Sequence, residues 1–222
     1  MSVVEPGEDG ELDLRRGEVA PGVAEEFPEL RLFSIVVEAG SGKSPPEIKA
    51  RLRDMSDAFR GPQAVLMRQQ PIPWAYRVFF RHIGLDPDDD RTPVEALALE
   101  RLIKGGFKSK NLLDDALTIA VMETGVPVWG LDAERVSADA LVIREAADYE
   151  PFAPTEWLPG GRLVVADPAG PVAVLFGDIA PERQVTKATA RTVLFSVQVA
   201  GVPSIHVEEA LWLAQEILTP GD

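Results

Sequence analysis

The order of apolar and polar positions predicts a chain in which helices alternate with short strands. Residues 31–38 (RLFSIVVE) form an apolar, β-branched run that is too short for a buried helix, so they predict a buried strand. Similar runs, separated by proline and glycine, predict further strands at 139–145, 162–167, 171–176 and 192–199.

Helix-start signals and apolar positions at helical spacing predict several helices. Ser44-Pro45-Pro46-Glu47 predicts a helix start, because serine can cap free N–H groups, proline fits the first turn and glutamate completes a capping box. That helix should run to about Phe59 and end at Gly61-Pro62. Further helices are predicted at 73–83, 92–104, 112–124 and 204–218.

This succession of elements predicts an α+β fold, with a mixed sheet core and flanking helices. Residues 27–222 contain no linker and no repeat, so we expect a single domain there. Residues 1–26 are acidic, rich in glycine and weakly periodic. We interpret them as a mobile acidic leader, which could include a short strand or helix near residues 11–16.

Composition excludes several classes of site. The 222 residues include no cysteine and two histidines, His82 and His206. Disulfides, thiolate metal sites and cysteine nucleophiles are therefore excluded, and we expect neither a metal nor a cofactor. The sequence has no apolar run of about 18 residues, and its first residues lack the pattern of a signal peptide. We therefore expect a cytoplasmic protein without a membrane partner.

The net charge of −14 is distributed unevenly. Residues 49–110 carry 12 basic and 8 acidic side chains, whereas the segments on either side are strongly acidic. The basic middle indicates either an anion-binding face or simply two solvated helices.

Each short motif that could form a functional site also has a purely structural interpretation. GSGKS at 40–44 lacks the first glycine of a phosphate loop, so we interpret it as a turn before a helix. Asp88-Asp89-Asp90 is typical of a solvated acidic turn, since a hard-cation site needs about six converging oxygens. His82 lies among aromatic and basic residues and is interpreted as a residue of a helix surface.

A further series of short motifs occurs in a fixed order. Its first part consists of Tyr76-Arg77, Gly84, Arg91, Pro93, Glu95, Leu97, Arg101, Lys104-Gly105, Asn111, Asp115, Gly125-Val126-Pro127 and Asp132. Its second part consists of Val185-Thr186, Thr189 and Leu194-Phe195. Over roughly residues 70–199 the series resembles the editing domain (modules B-three and B-four) of the bacterial phenylalanyl-tRNA synthetase β subunit. It resembles the free-standing proteins built from that domain more closely still.

The resemblance implies a pocket that receives the aminoacylated 3′ end of a tRNA and hydrolyses a mischarged aminoacyl ester. Four positions depart from the synthetase pattern. Leu117 and Thr118 replace a Thr-Asn pair, Trp129 replaces a histidine, and Phe195 replaces the glutamate that senses the tyrosine hydroxyl. Without polar partners for a phenol, tyrosine specificity is not expected.

The resemblance also suggests roles for particular residues. Asp115, Thr118 and Asn111 are the catalytic candidates, since orientation and stabilisation of the developing oxyanion are what this hydrolysis needs. Trp129, Phe195 and Leu117 are the candidates for the substrate pocket. The candidates for tRNA phosphates are Arg77, Arg91, Arg101, Lys104 and Lys108. Each candidate also has a purely structural interpretation, in which it braces a helix or pairs with a neighbouring charge.

Two other functions remain open. The same fold could serve as a non-catalytic module that binds a small molecule or a protein, which the charge of −14 favours. It could also act on free amino-acid derivatives. Two structural expectations follow: the basic side chains of the middle segment should form one patch, and Trp129 and Phe195 should approach each other.

Overall fold

The computed structural model describes residues 14–220. The strands in this part of the chain are β1 (Arg15–Val19), β2 (Arg31–Val37), β3 (Val128–Asp132), β4 (Val142–Glu145), β5 (Glu150–Ala153), β6 (Glu156–Leu158), β7 (Leu163–Asp167), β8 (Gly170–Val174) and β9 (Thr192–Gln198). The α-helices are α1 (Pro21–Glu26), α2 (Pro46–Ala58), α3 (Gly61–Met67), α4 (Pro71–His82), α5 (Pro93–Lys104), α6 (Leu112–Thr124) and α7 (Ser204–Leu218).

Seven of the strands form one mixed sheet that is nearly closed. Its order is β3-β9-β2-β1-β4-β7-β8, and every neighbouring pair is antiparallel except β1 with β4. The segment after β8 pairs with both edges: Ile179 bridges to Ala173 of β8, and Gln184 bridges to Leu131 of β3. Residues 179–184 therefore cover both edges, which would otherwise expose unpaired backbone groups.

The helices pack on the sheet and on one another around an apolar core. Helix α6 contacts α7, and α7 contacts β2 and β9. The strands that α7 covers are buried along nearly their whole length, which agrees with the continuous apolar runs in their sequences. The main core draws on residues from Val23 to Leu218. Strands β5 and β6 form a separate hairpin beside β8.

The prediction of a mixed sheet core with flanking helices is confirmed at this level. Helix α5 begins with the predicted capping box, in which the carboxylate of Glu95 accepts hydrogen bonds from the hydroxyl and the N–H of Thr92. Helix α6 spans the predicted residues and ends at Gly125, whose φ of 75° lies in the left-handed region.

Two local expectations were wrong, and two strand features were missed. The capping box predicted at Ser44-Pro45-Pro46-Glu47 does not form, because Pro45 is the N-cap of α2 and the Ser44 hydroxyl donates to Asp115. Gly61-Pro62 begins α3 instead of only ending the preceding helix, because proline also fits a first helical turn. Strand β3 and the β5–β6 hairpin were not anticipated from the sequence.

The boundary of the expected leader also needs correction. Residues 1–13 lie outside the described part of the chain. Residues 15–26 form β1 and α1, and β1 lies inside the sheet, paired with β2 on one side and β4 on the other. Strand β1 alternates between half-buried and exposed residues, which gave little apolar signal in the sequence.

Candidate functional site

A cavity of about 350 Å³ lies where α6 begins, beside β3 and the segment that follows β8. Six of its lining residues matter for its chemistry: Asp114, Leu117, Trp129, Asp178, Gln184 and Val185. Leu117 and Trp129 were predicted to line a substrate pocket, and both line this cavity. The volume lies at the lower end of the range for small-molecule sites.

One wall of the cavity is aromatic. Trp129 on β3 lies directly opposite Phe195 on β9, and their rings stack with centroids 5.3 Å apart at an interplanar angle of 14°. The expected approach of these two side chains is confirmed. Phe195 is fully buried behind Trp129, so it supports the wall without lining the cavity.

Phe176 connects this wall to α4. Its ring lies 5.7 Å from that of Trp129, and also contacts Tyr76, Phe79 and Phe80. Phe176 has a φ of 60°, which is unfavourable for a bulky residue. Strain of this kind persists only where surrounding packing fixes it, and four aromatic contacts supply that packing here. Phe176 thereby sets the bend that brings Gly177 and Asp178 to the cavity.

The first turn of α6 positions the carboxylate of Asp114 at the cavity. The Asn111 side chain caps the helix: its oxygen accepts from the Asp114 N–H at 2.9 Å, and its Nδ2 donates to the Asp114 carboxylate at 2.8 Å. Thr118 donates its hydroxyl to the backbone oxygen of Asp114 at 2.7 Å. Of the two residues predicted as catalytic here, Asn111 therefore holds the Asp114 carboxylate and Thr118 bonds its own helix backbone, and neither lines the cavity.

Asp115 does not lie at the cavity, contrary to the prediction that it acts on substrate. Its carboxylate is buried and accepts hydrogen bonds from the hydroxyls of Ser44 and Ser109 and from the N–H of Lys110. Consecutive helical residues point about 100° apart, so Asp114 faces the cavity while Asp115 faces the protein. Asp115 thus fixes the loops before α2 and α6.

Arg77, one member of the predicted basic patch, is buried and does not contribute to a surface. Its guanidinium donates to Glu95 at 2.6 Å and to Asp88 at 2.8 Å. Burial alone would lower the pKa of Arg77, but the hydrogen bond with Asp88 and the negative charge of Glu95 outweigh it and raise that pKa. Arg77 therefore stabilises the packing of α4 against α5 and is not available to phosphate.

The other predicted basic residues divide into two groups. Arg101 donates to the backbone oxygen of Ser56, and Lys104 pairs with Glu100 one turn away on α5. Arg91 and Lys108 are exposed, and within residues 14–220 neither has an ion-pair partner. Arg101 also lacks an ion-pair partner in this range, but it is half-buried and bound to a backbone oxygen, so Arg91 and Lys108 are the two of the five candidates that are both exposed and without an ion-pair partner.

The cavity combines an aromatic wall with two carboxylates, Asp114 and Asp178. Neither carboxylate has an ion-pair partner among the described residues. Such a site favours a ligand with a positive charge, because the aromatic face and both carboxylates attract cations. Sequence reasoning missed Asp114, Phe176, Asp178 and Gln184.

Residues 14–220 contain no group of three or more histidine, aspartate or glutamate side chains arranged to hold a metal ion. None of the helices in the same range is long and apolar enough to cross a bilayer.

Comparison of the sequence with protein-family models gives no match, and comparison with curated proteins gives no significant match. The function of the chain must therefore be argued from the site itself.

Proposed function

We propose that this chain is a trans-acting editing protein that hydrolyses the ester of a mischarged aminoacyl-tRNA other than a tyrosyl ester. The observation that supports the proposal best is that Trp129, Asp114 and Asp178 line one cavity. An aminoacyl ester carries a protonated α-amino group next to its acyl carbon. The carboxylates suit that ammonium group, and the aromatic wall suits the amino-acid side chain.

The reaction adds water across the acyl–oxygen bond. The acyl carbon gains the hydroxyl of water, the ribose oxygen leaves, and that oxygen takes the remaining proton. Asp114 is suited to binding the ammonium group or orienting the water, since the Asn111 side chain fixes the position of its carboxylate before substrate arrives. This role belongs to Asp114 and not to Asp115, whose oxygens are already occupied by protein donors.

The experiment is a deacylation screen with a panel of mischarged tRNAs, followed by variants on the sensitive substrate. Asp114→Asn should slow hydrolysis by about tenfold or more, since it removes a charge aimed at the substrate. Asp57→Asn, an exposed change on α2, is the matched control and should leave the rate unchanged. If no tRNA in the panel is deacylated, or if both variants retain the full rate, the proposal is wrong.

A second candidate function is a non-catalytic module that binds a small amine. The observation in its favour is that Arg77, Arg101 and Lys104 all have partners within the protein. The net charge of −14 also opposes the approach of tRNA. Tight binding of an amine in this cavity, with every tRNA ester intact at saturating protein, would favour this candidate.

A further inference from the structure

A separate cavity of about 270 Å³ lies where α1 and α4 end, next to the paired ends of β4 and β7. Four titratable side chains line it: Glu26, His82, Glu145 and Arg162. None of these side chains has a hydrogen-bond or ion-pair partner within residues 14–220. Four such groups around one space, none of them neutralised by another, are available to a ligand.

The sheet register explains why Glu145 points toward this space. Glu145 pairs with Leu163 across the β4–β7 ladder, and directly opposed residues share one face of a sheet. Leu163 is buried, and so is Ile143, two residues before Glu145 on the same strand. The Glu145 side chain therefore lies on the same face as these residues, at the end of the strand, where it is exposed. The last turn of α4 adds partial negative charge, which favours a cation beside Glu145.

The floor of this cavity is apolar. It is formed by Phe27, Ile83, Leu163 and Leu175. A neighbouring, more apolar space of about 190 Å³ shares Glu26, Phe27 and His82 with it and extends to Leu30 and Phe79. An apolar group bound on this floor would therefore lie among carboxylates, an imidazole and a guanidinium.

We infer that this second cavity binds a small zwitterion, namely a free α-amino acid with an apolar side chain. The carboxylates of Glu26 and Glu145 suit its ammonium group, and the fork of Arg162 suits its carboxylate. The apolar floor suits its side chain. The volume fits a ligand of this size, since sites for larger molecules are typically about 300–1,000 Å³. The inference does not depend on the proposed hydrolysis, because the two cavities share no lining residue.

The test is titration calorimetry on the full chain with L-leucine and two analogues that each lack one charge. These are 4-methylpentanoate, which has no ammonium group, and 3-methylbutylamine, which has no carboxylate. Leucine should bind with a Kd of about 1 mM or lower, as expected for so few atoms. Each analogue should bind about tenfold more weakly or worse, because each loses one charge-assisted contact.

Variants then locate the bound leucine. Arg162→Gln and Glu145→Gln should each weaken leucine binding about tenfold or more. Arg162→Gln should leave the weaker affinity for 3-methylbutylamine unchanged, because the amine has no carboxylate for Arg162 to bind. Arg53→Gln, an exposed change on α2, is the matched control and should bind leucine like the unchanged chain.

Three results would overturn the inference. The first is the absence of leucine binding to the unchanged chain. The second is equal binding of leucine and both analogues. The third is loss of leucine binding in Asp114→Asn together with full binding in Arg162→Gln, which would place the ligand in the first cavity. Deacylation of tRNA is measured separately, so failure of either proposal leaves the other standing.

Discussion

Asp114 and Asp115 are adjacent acids with opposite environments. Asp114 faces the first cavity, whereas Asp115 accepts three hydrogen bonds in the interior. The same substitution at these two neighbouring positions should therefore distinguish an effect on stability from an effect on function.

Asp115→Asn should lower the free energy of unfolding by at least about 2 kcal/mol. The side-chain NH2 of asparagine would face hydroxyl and N–H groups that donate hydrogen bonds to the carboxylate of Asp115. Asp114→Asn should lower it by only about 0.3–1 kcal/mol, the usual contribution of one charge at a helix N-terminus. Urea denaturation of both variants measures the difference. A larger loss for Asp114→Asn than for Asp115→Asn would contradict the assigned roles.

Glu95 is the second residue whose role is mainly structural. It is buried, and its carboxylate binds Arg77 at 2.6 Å, Arg68 at 2.8 Å and the hydroxyl of Thr92 at 2.8 Å. It thereby joins α4 to the first turn of α5.

Glu95→Ala should destabilise the protein by about 3 kcal/mol, because it removes the buried carboxylate partner of the Arg77 guanidinium and leaves only the exposed Asp88 to pair with it. Glu100→Ala on the same helix is the matched control. Glu100 pairs with Lys104 and Lys110 at the surface, and such pairs contribute only about 0–1 kcal/mol. Thermal and urea unfolding of the two variants should rank them in that order, and equal losses would show that Arg77 does not depend on Glu95.

At the residue scale, the sequence predicted which side chains lie near the first cavity better than it predicted which of them line it. The stacking of Trp129 and Phe195 follows from strand pairing and was anticipated. The expectation that Asp115 reaches the pocket was not met, because the motif fixed a position in the sequence and not its direction on the helix, and Asp114 lines the cavity instead. The phase of α6 could have corrected it, since Ala116 and Ile119 mark the buried side next to Asp115.

At the scale of elements, the β5–β6 hairpin packs on the main sheet through Phe152 and Leu158, and one ion pair adds a polar link. Arg144 on β4 donates two hydrogen bonds to Glu150, at 2.8 and 2.6 Å, and the Ala147 N–H donates a third at 2.9 Å. The hydrogen bonds from Arg144 hold the pKa of Glu150 below its usual range.

A lowered pKa in the folded state implies stability that is present above the ordinary pKa of about 4.3 and is lost as the pH falls through the folded value. Glu150→Gln should therefore reduce stability at pH 7, by about 1 kcal/mol for a partly exposed pair. The difference from the unchanged chain should vanish in acid. Urea midpoints measured from pH 7 down to about pH 3 test this.

Glu156→Gln, an exposed change in the same hairpin, is the control and should follow the unchanged chain at every pH. A difference between Glu150→Gln and the unchanged chain that stays constant with pH would show that the carboxylate charge is not what holds the hairpin.

Elements with local signals were predicted well, and elements defined by their partners were not. Helices α5 and α6 carry their own caps, Thr92 and Asn111 among them, so their limits could be predicted from neighbouring residues. Strand β3 has five residues with a glycine in the middle, and it exists because β9 pairs with it throughout. Strand β1 likewise depends on β2 and β4, which is why residues 15–26 resembled a leader.

At the scale of the whole molecule, charge decides whether tRNA is a plausible partner. The net charge of −14 opposes it, and the structure uses Arg77, Arg101 and Lys104 for internal contacts. Any attraction to phosphate from the basic middle segment must then come from a few local side chains. Arg91 and Lys108 are the two predicted phosphate contacts that remain exposed and unmatched within residues 14–220.

If tRNA binds through these two residues, the salt dependence of its affinity should correspond to a small number of phosphate contacts. Each phosphate contact contributes about 0.7–0.9 to the slope of log K against log salt. The double variant Arg91→Gln with Lys108→Gln should therefore weaken binding and reduce that slope by about 1.4–1.8.

The double variant Lys49→Gln with Arg53→Gln removes the same charge from α2 and is the matched control. Filter binding of tRNA over a salt series measures both slopes. Equal reductions in the two double variants would mean that net charge alone governs the attraction, and an unchanged slope in the first would remove Arg91 and Lys108 from the interface.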